Sequence, residues 1–389
     1  MRRRAVILVL DGVGAGAAPD ADAYGDVGSD TLGNVARAVG GLALPNLQRL
    51  GLGNLVTMDG VAPTDAPEAA WGVMEPASAG KDSITGHWEI AGLHLARPFP
   101  TFPNGFPPDV IDAFAAATGR GVLGNVPASG TEIIARYGDE HERTGKWIVY
   151  TSADSVFQVA AHESVVPLTE LYAACETARM QLVPPNDVSR VIARPFAGKA
   201  GAYQRTANRR DYSITPPSET LIDALAGAGV PRSGVGKVDD LFAGSLTSRH
   251  IADNAEGIGA IVEWLGGAQG GMLFANLVDF DTLYGHRGDV AGFARALRQF
   301  DDALPAIRAA LREDDLLFIT ADHGNDPTTG SSDHARERVP LLVAGPQVRA
   351  RPLGVRRTFS DLGATVAEWL NVPFVGQGTS FLPSIERGM

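Results

Sequence analysis

Four short apolar runs punctuate the chain, and three of them end in acidic residues. Ala5-Val-Ile-Leu-Val-Leu10 leads into Asp11-Gly12-Val13-Gly14. Met272-Leu-Phe-Ala-Asn-Leu-Val278 leads into Asp279-Phe-Asp281, and Leu316-Leu-Phe-Ile-Thr320 into Ala321-Asp322-His323-Gly324. Val339-Pro-Leu-Leu-Val343 is the fourth run. Unbroken apolar runs of this length suit parallel strands covered on both faces. Between the second and third, Phe293, Leu297, Phe300, Leu304, Ile307 and Leu311 recur at steps of four and three, which predicts a helix packed on a sheet through one face. Pro305 is expected to kink or divide that helix. The alternation of strand and helix predicts an α/β domain with a largely parallel sheet flanked by helices. Ligands bind such sheets beyond the carboxyl ends of the strands, and Asp11, Asp281, Asp322 and His323 all fall there.

The middle of the chain departs from this pattern. Pro98-Phe-Pro-Thr-Phe-Pro-Asn-Gly-Phe-Pro-Pro108 and the pair Pro216-Pro217 read as connectors, with shorter mixed strands and helices between them. A chain of 389 residues suggests about two domains. The expected division is a discontinuous catalytic core, residues 1–100 and 219–389, interrupted by a smaller inserted α+β cap domain, residues 101–218.

Charge and cysteine usage narrow the function classes. A formal net charge of -12 argues against nucleic acid as a partner, because phosphate neutralisation needs a basic face. Cys175 is the single cysteine, which excludes an internal disulfide and a cysteine-based zinc cluster. Arg2-Arg3-Arg4 followed by Ala5 to Leu10 imitates a signal peptide, but the apolar run is short and Asp11 ends it. No apolar stretch has the roughly 18 residues a membrane span requires. A cytoplasmic enzyme is the expectation, acting on a small molecule with no obligate protein partner.

The candidate chemistry gathers at the strand ends. Three of the eight histidines, His286, His323 and His334, stand close in sequence to loop aspartates: Asp281-Thr-Leu-Tyr-Gly-His286, Asp322-His323 and Ser332-Asp333-His334. With Asp11 these supply three carboxylates and three imidazoles, enough for two metal ions. Mixed oxygen and nitrogen donors suit Mn²⁺ or Zn²⁺ better than Ca²⁺. Two such ions about 4 Å apart can clamp both oxygens of an in-line phosphoryl displacement. Asp279 fits equally a ligand and a residue supporting one. His94, His141, His162 and His250 are expected at the surface or in ordinary hydrogen bonds. Gly80-Lys-Asp-Ser-Ile-Thr85-Gly-His-Trp-Glu89 adds hydroxyls at Ser83 and Thr85. Metal coordination would activate such a hydroxyl as a nucleophile, Gly86 would permit close backbone approach, and the competing role for either hydroxyl is a helix cap.

These strings resemble the phosphopentomutase family of the alkaline phosphatase superfamily. The resemblance is carried by Asp11-Gly-Val-Gly14, the Gly80 to Glu89 string, Tyr150-Thr-Ser-Ala-Asp-Ser-Val156, Arg194-Pro-Phe196, Arg205-Thr-Ala-Asn-Arg209, Gly236-Lys237, Val278 to Arg287, and Thr320-Ala-Asp-His-Gly-Asn-Asp326, all in order along the chain. Ser83 stands where the family often has Thr.

The resemblance implies an alkaline-phosphatase-like core with a cap closing over its site. It implies that Thr85 is the residue that carries phosphate. Asp11, Asp322 and His323 would bind one ion and Asp281, His286 and His334 the other, with Mn²⁺ as the usual metal and Mg²⁺, Co²⁺ or Zn²⁺ as substitutes. Asp154 would hold a sugar hydroxyl, and Arg194, Arg209 and Lys237 the distal phosphate or the sugar. Arg205, Arg210 and Arg287 receive no role. The implied reaction is the isomerisation of ribose 1-phosphate and ribose 5-phosphate, or the 2-deoxyribose pair, in nucleotide and pentose phosphate metabolism. Glucose 1,6-bisphosphate or a pentose bisphosphate would prime Thr85. The alternatives are another superfamily phosphatase, a cofactor-independent phosphoglycerate mutase, or a non-catalytic phosphosugar-binding protein.

Overall fold

The computed structural model describes residues 3–152, 154–374 and 376–387. Arg2, at the head of the basic N-terminal run, lies outside them. Arg4 is already in the first strand, Arg4–Leu10, and is buried, with its guanidinium on Asp315 and on the Leu265 carbonyl. By contact density the chain divides into two units, Met1–Pro98 with Pro216–Met389, and Phe99–Thr215.

The first unit is built on an eight-stranded sheet. In spatial order its strands are Thr247–Arg249, Arg232–Val235, Gly271–Leu277, Arg4–Leu10, Asp315–Thr320, Val339–Ala344, Ala70–Met74 and Pro352–Arg356. Only Val339–Ala344 runs against the others. The central strands are buried along their whole length, as their unbroken apolar runs require. Their register places Val9 beside both Asn276 and Thr320, so the segments that follow these three strands leave the sheet at one edge. The reversed strand delivers its preceding segment, with His334, to that same edge.

The helix Val290–Ala309 packs its apolar face inward and contains Pro305 without being divided. Proline cannot donate to the carbonyl four residues earlier. That carbonyl, on Asp301, accepts instead from Asn46 Nδ2 at 2.9 Å.

The second unit carries a mixed sheet, Val122–Pro127, Trp147–Thr151, Val156–His162, Arg190–Ala197 and Gln204–Arg205, with Arg210–Ser213 also paired to Arg190–Ala197. Alternation along Trp147–Thr151 sends Trp147 and Val149 into a core with Phe114 and Phe157, and Ile148 and Tyr150 into a second with Ile133 and Phe196.

Candidate active site

Asp11 follows the first strand directly and is fully buried. The next residue, Gly12, has a φ of 76°, a left-handed turn that suits glycine. Its amide donates to Asp322 Oδ1 at 3.1 Å, and its carbonyl accepts from the Asn325 amide at 2.8 Å. The loops after two neighbouring strands are thereby tied together.

Beyond Gly271–Leu277 the chain makes a π-helical turn, Phe280–Tyr284, and a 3-10 turn, Gly285–Arg287. This irregular path turns Asp281 and His286 toward each other, with His286 Nε2 at 3.2 Å from Asp281 Oδ2. His334 Nε2 lies 3.3 Å from the other oxygen, Oδ1. His323 Nε2 lies 3.4 Å from both Asp11 Oδ1 and Asp322 Oδ2. The imidazoles of His323 and His334 are 4.0 Å apart, and those of His286 and His334 are 4.8 Å apart. All six expected ligands therefore meet at one sheet edge. Asp281 belongs to two metal-competent groups, one with His286 and His334 and one with Asp11 and His323; a third group, Asp239, Asp240 and His250, lies apart from these ligands in the chain.

Asp11 Oδ2 and Asp322 Oδ2 have Lys237 and His87 as partners, but two of these buried atoms, Asp11 Oδ1 and His334 Nε2, make no hydrogen bond. Buried polar atoms are rarely left so. Their oxygen and nitrogen chemistry fits a divalent cation. Burial would raise the Asp281 and Asp322 carboxyls, but the facing imidazoles outweigh it and hold both well below the ordinary carboxylate range. Burial would lower His286 and His323, but the carboxylates push them up to about 9 and about 10. Lys237 Nζ reaches Asp11 Oδ2 at 2.8 Å, and the carboxylates raise its pKa although burial opposes them.

Thr85 is the third residue of the helix Ser83–Ile90 and is buried. The cap is Asp82, not either hydroxyl residue: Asp82 accepts from the Thr85 amide at 3.1 Å and from Thr85 Oγ1 at 2.5 Å. Ser83 Oγ lies 3.2 Å from His323 Nε2. The helix sits tightly against the loop after Asp315–Thr320, since a Cβ on Gly86 would stand 2.1 Å from the Asp322 carbonyl oxygen.

Sequence reasoning gave no role to several residues that complete the site. His87 is fully buried; Asn276 Nδ2 donates to its Nε2 at 2.9 Å, which leaves Nδ1 to face the Ser83 carbonyl at 2.9 Å and Asp322 Oδ2 at 3.1 Å. Asn325 Nδ2 donates to Asp281 Oδ1 at 2.6 Å. Lys81 pairs with Asp26 and Asp333 at 3.0 and 3.2 Å. Asp82 was legible as an acidic residue three positions before Thr85, the spacing of a helix cap; the partners of His87 and Asn325 carry no local signal. Asp279 faces Asn254, exchanging hydrogen bonds with its amide and side chain. His94, His141, His162 and His250 hydrogen-bond to Thr358, the Lys146 carbonyl, Ser164 and Asp239. Arg287 bonds to its own turn through the Thr282 carbonyl.

In the second unit, Asp154 is exposed between two strands. Arg194 Nε donates to Gln158 Oε1 at 3.0 Å, and Arg209 makes a forked pair with Asp211 at 2.7 and 2.6 Å. Arg210 stacks over Tyr172 and Tyr212, and Arg205 is exposed. Burial raises the Tyr150 hydroxyl, while Arg194, Arg205 and Arg209 pull it the other way, so these three cations share one neighbourhood.

A buried constellation of carboxylates and imidazoles at the carboxyl edge of an α/β sheet defines a metalloenzyme. The family description of the Metalloenzyme superfamily matches residues 3–373, and the chain belongs to it. A phosphoglycerate mutase of Leishmania mexicana, solved at low cobalt concentration, shares the fold with a TM-score of 0.50 at 12% identity over 97% of each chain. The phosphopentomutase of Dictyoglomus thermophilum is 56% identical over 389 residues, 99% of each chain. That of Anaeromyxobacter sp. (strain K) is 56% identical over 390 residues and covers both chains fully. Within the superfamily, the chain is a member of the phosphopentomutase family of enzymes. No helix among the described residues is long and apolar enough to cross a membrane.

Proposed function

We propose that the chain interconverts ribose 1-phosphate and ribose 5-phosphate, and the corresponding 2-deoxyribose phosphates, by way of a phosphorylated Thr85. The observation that carries this reading is the placement of Thr85: its hydroxyl is held by Asp82, on a helix pinned against Asp322, in a cavity lined also by Asp322 and His323.

The reaction has two matched halves. A pentose 1-phosphate presents its free 5-hydroxyl to phosphothreonine 85. The new phosphorus–oxygen bond forms as the bond to Thr85 Oγ1 breaks; the sugar hydroxyl loses its proton and Oγ1 gains one. The pentose 1,5-bisphosphate then returns its 1-phosphate to Thr85, leaving the 5-phosphate. A bisphosphorylated sugar such as glucose 1,6-bisphosphate starts the cycle by phosphorylating Thr85. Catalysis of this kind is mainly positioning and charge neutralisation.

Asp11, Asp322 and His323 would hold one divalent ion, and Asp281, His286 and His334 a second; we assign Mn²⁺. Bound there, the ions supply positive charge to the transferring phosphoryl group and favour the threonine alkoxide. The buried Asp11 Oδ1 and His334 Nε2, which make no hydrogen bond, support this assignment. Lys237, Arg194 and Arg209 are assigned to the distal phosphate or the sugar, and Asp154 to a sugar hydroxyl. Residues 101–218 are assigned the role of a cap that excludes water, so that phosphothreonine is not hydrolysed. The phosphopentose is the only partner the reaction requires. Its setting is taken as the cytoplasm, where a lone buried thiol such as Cys175 stays reduced.

Mass spectrometry of the protein after incubation with Mn²⁺ and glucose 1,6-bisphosphate tests the nucleophile. One phosphate mapped to Thr85, and none on Thr85→Ala, is expected. A phosphate on Ser83, or on no residue, would defeat the assignment.

A further inference from the structure

The segment Pro76–Gly80 connects the strand Ala70–Met74 to the nucleophile helix and has no regular secondary structure. Its backbone groups must still find partners. Two buried side chains of opposite charge take two of its amides and three of its carbonyls, while the Ala79 amide donates to the Leu95 carbonyl.

Glu89, at the far end of the nucleophile helix, takes the donors. Its Oε1 accepts from the Ala77 amide at 2.8 Å and its Oε2 from the Ser78 amide at 2.7 Å. Oε1 also holds Thr358 Oγ1 at 2.9 Å and the Phe359 amide at 3.0 Å. Arg336, two residues beyond His334, takes the acceptors. Its guanidinium donates to the carbonyls of Ser78 at 2.6 Å, Gly80 at 2.7 Å and Pro76 at 3.0 Å. The guanidinium is anchored by Asp20 at 2.9 Å and stacks over Tyr24 at 4.6 Å. The Arg336 backbone amide donates to Asp26 at 2.7 Å, and Asp26 also holds Lys81 at 3.0 Å.

Both side chains are almost wholly buried, Glu89 at 1% and Arg336 at 3% exposure, yet they do not pair with each other. Burying two charges separately is costly unless each is saturated with hydrogen bonds. Asp20 supplies part of that saturation for Arg336, and Thr358 and Phe359 part of it for Glu89; the rest falls on a single loop of five residues. The planar guanidinium fork can reach three carbonyls at once, which a lysine ammonium cannot do in the same plane.

We propose that Glu89 and Arg336 are positioning residues, a two-sided clamp that fixes Thr85 relative to the segment bearing His334. This rests on the reading that Thr85 carries the phosphoryl group. The clamp acts through the loop backbone and touches no reacting atom.

The test uses the full chain loaded with Mn²⁺. Glu89→Gln keeps the shape of the side chain but sets an amide donor against the Ser78 amide. Arg336→Lys keeps the charge and loses the fork. Each is measured for Thr85 phosphorylation rate by quenched mass spectrometry, for kcat and KM with ribose 5-phosphate, for Mn²⁺ binding by calorimetry, and for melting temperature. A phosphorylation rate and kcat lower by about 10- to 100-fold are expected, with KM held within about threefold and Mn²⁺ binding retained. Rates equal to those of the unaltered protein in either folded variant would overturn the clamp. Activity lost only in proportion to Mn²⁺ binding or folded protein would overturn it too, as a purely structural role. Absence of phosphate on Thr85 in the unaltered chain would overturn the underlying reading and the clamp with it, and that arm is read without any variant.

Discussion

The Cα of Gly86 packs against the carbonyl of Asp322 so closely that a Cβ there would stand 2.1 Å from the oxygen. The helix Ser83–Ile90 and the loop after Asp315–Thr320 are in backbone contact, so any side chain at residue 86 must drive them apart. Gly86→Ala is expected to lower kcat by about 100-fold through misplacement of Thr85 and to cost about 1–3 kcal/mol of stability through overpacking. Steady-state rates and urea denaturation check both. A variant with unchanged kcat would show that the contact does not set the geometry.

Asp82 has two separable tasks, capping the helix through the Thr85 amide and orienting the Thr85 hydroxyl. Asparagine caps as well as aspartate, but with its oxygen on the Thr85 amide, the NH2 that replaces the second oxygen cannot accept from the Thr85 hydroxyl. Asp82→Asn is therefore expected to hold stability within about 0.5 kcal/mol and Asp82→Ala to lose about 1 kcal/mol, while both slow Thr85 phosphorylation. Equal rates in Asp82→Asn and the unaltered chain would remove the orienting role.

Metal loading should be sensitive to Asn325 and to pH. Asn325 donates to Asp281, the carboxylate shared by the two metal-competent groups that contain His286 with His334 and Asp11 with His323. Asn325→Ala is expected to weaken Mn²⁺ binding by about 10- to 100-fold. His286 and His323, raised to about 9 and about 10 by their carboxylates against the opposing effect of burial, hold protons at neutral pH in chelator-treated protein. Ligation must displace those protons, so calorimetry in buffers of different ionisation enthalpy should show proton release and affinity rising from about pH 7 to 9. In the chelated protein the same shifts stabilise the fold below about pH 6.5, and that contribution disappears as pH rises through about 9 and 10. Binding independent of pH would contradict this.

Glu337 is buried beneath the site, accepting from the Thr31 amide at 2.9 Å and the Thr31 hydroxyl at 2.7 Å. Burial, with Asp326 and Asp30 adding to it, lifts its carboxyl from 4.5 to about 8. The folded state thus keeps a proton that the unfolded chain releases near 4.5. Its stabilising contribution is complete below that pH and is lost as pH climbs to about 8. Glu337→Gln has no such dependence, so its melting temperature should gain on that of the unaltered chain from about pH 5 to 8. Parallel melting curves across that range would rule the account out.

The parts of this architecture that were legible in the sequence are those set by local pattern. Unbroken apolar runs located the central strands, and the acidic residues after them located one edge of the sheet. The direction of Val339–Ala344 was not legible, because a run apolar on both faces reads alike in either sense. The short strands Arg232–Val235, Thr247–Arg249 and Pro352–Arg356, the last two at the edges of the sheet, lack any such run. Pro305 was expected to kink or divide its helix, and the helix is undivided because a side chain 255 positions away takes the freed carbonyl. The clamp on Pro76–Gly80 was hidden for the same reason: Arg336 lies 258 positions from Ser78. Glu89 stood in plain view within the nucleophile string, but nothing nearby in sequence showed that its carboxylate turns back on Ala77 and Ser78.

The most direct test of the central claim is phosphorus NMR of the protein with ribose 5-phosphate, Mn²⁺ and a trace of glucose 1,6-bisphosphate, run beside a coupled assay that starts from ribose 1-phosphate. The account predicts a ribose 1-phosphate resonance in the first and rapid conversion in the second, with no build-up of inorganic phosphate, and neither with Thr85→Ala. Inorganic phosphate accumulating without isomerised sugar would mark a phosphatase and contradict it.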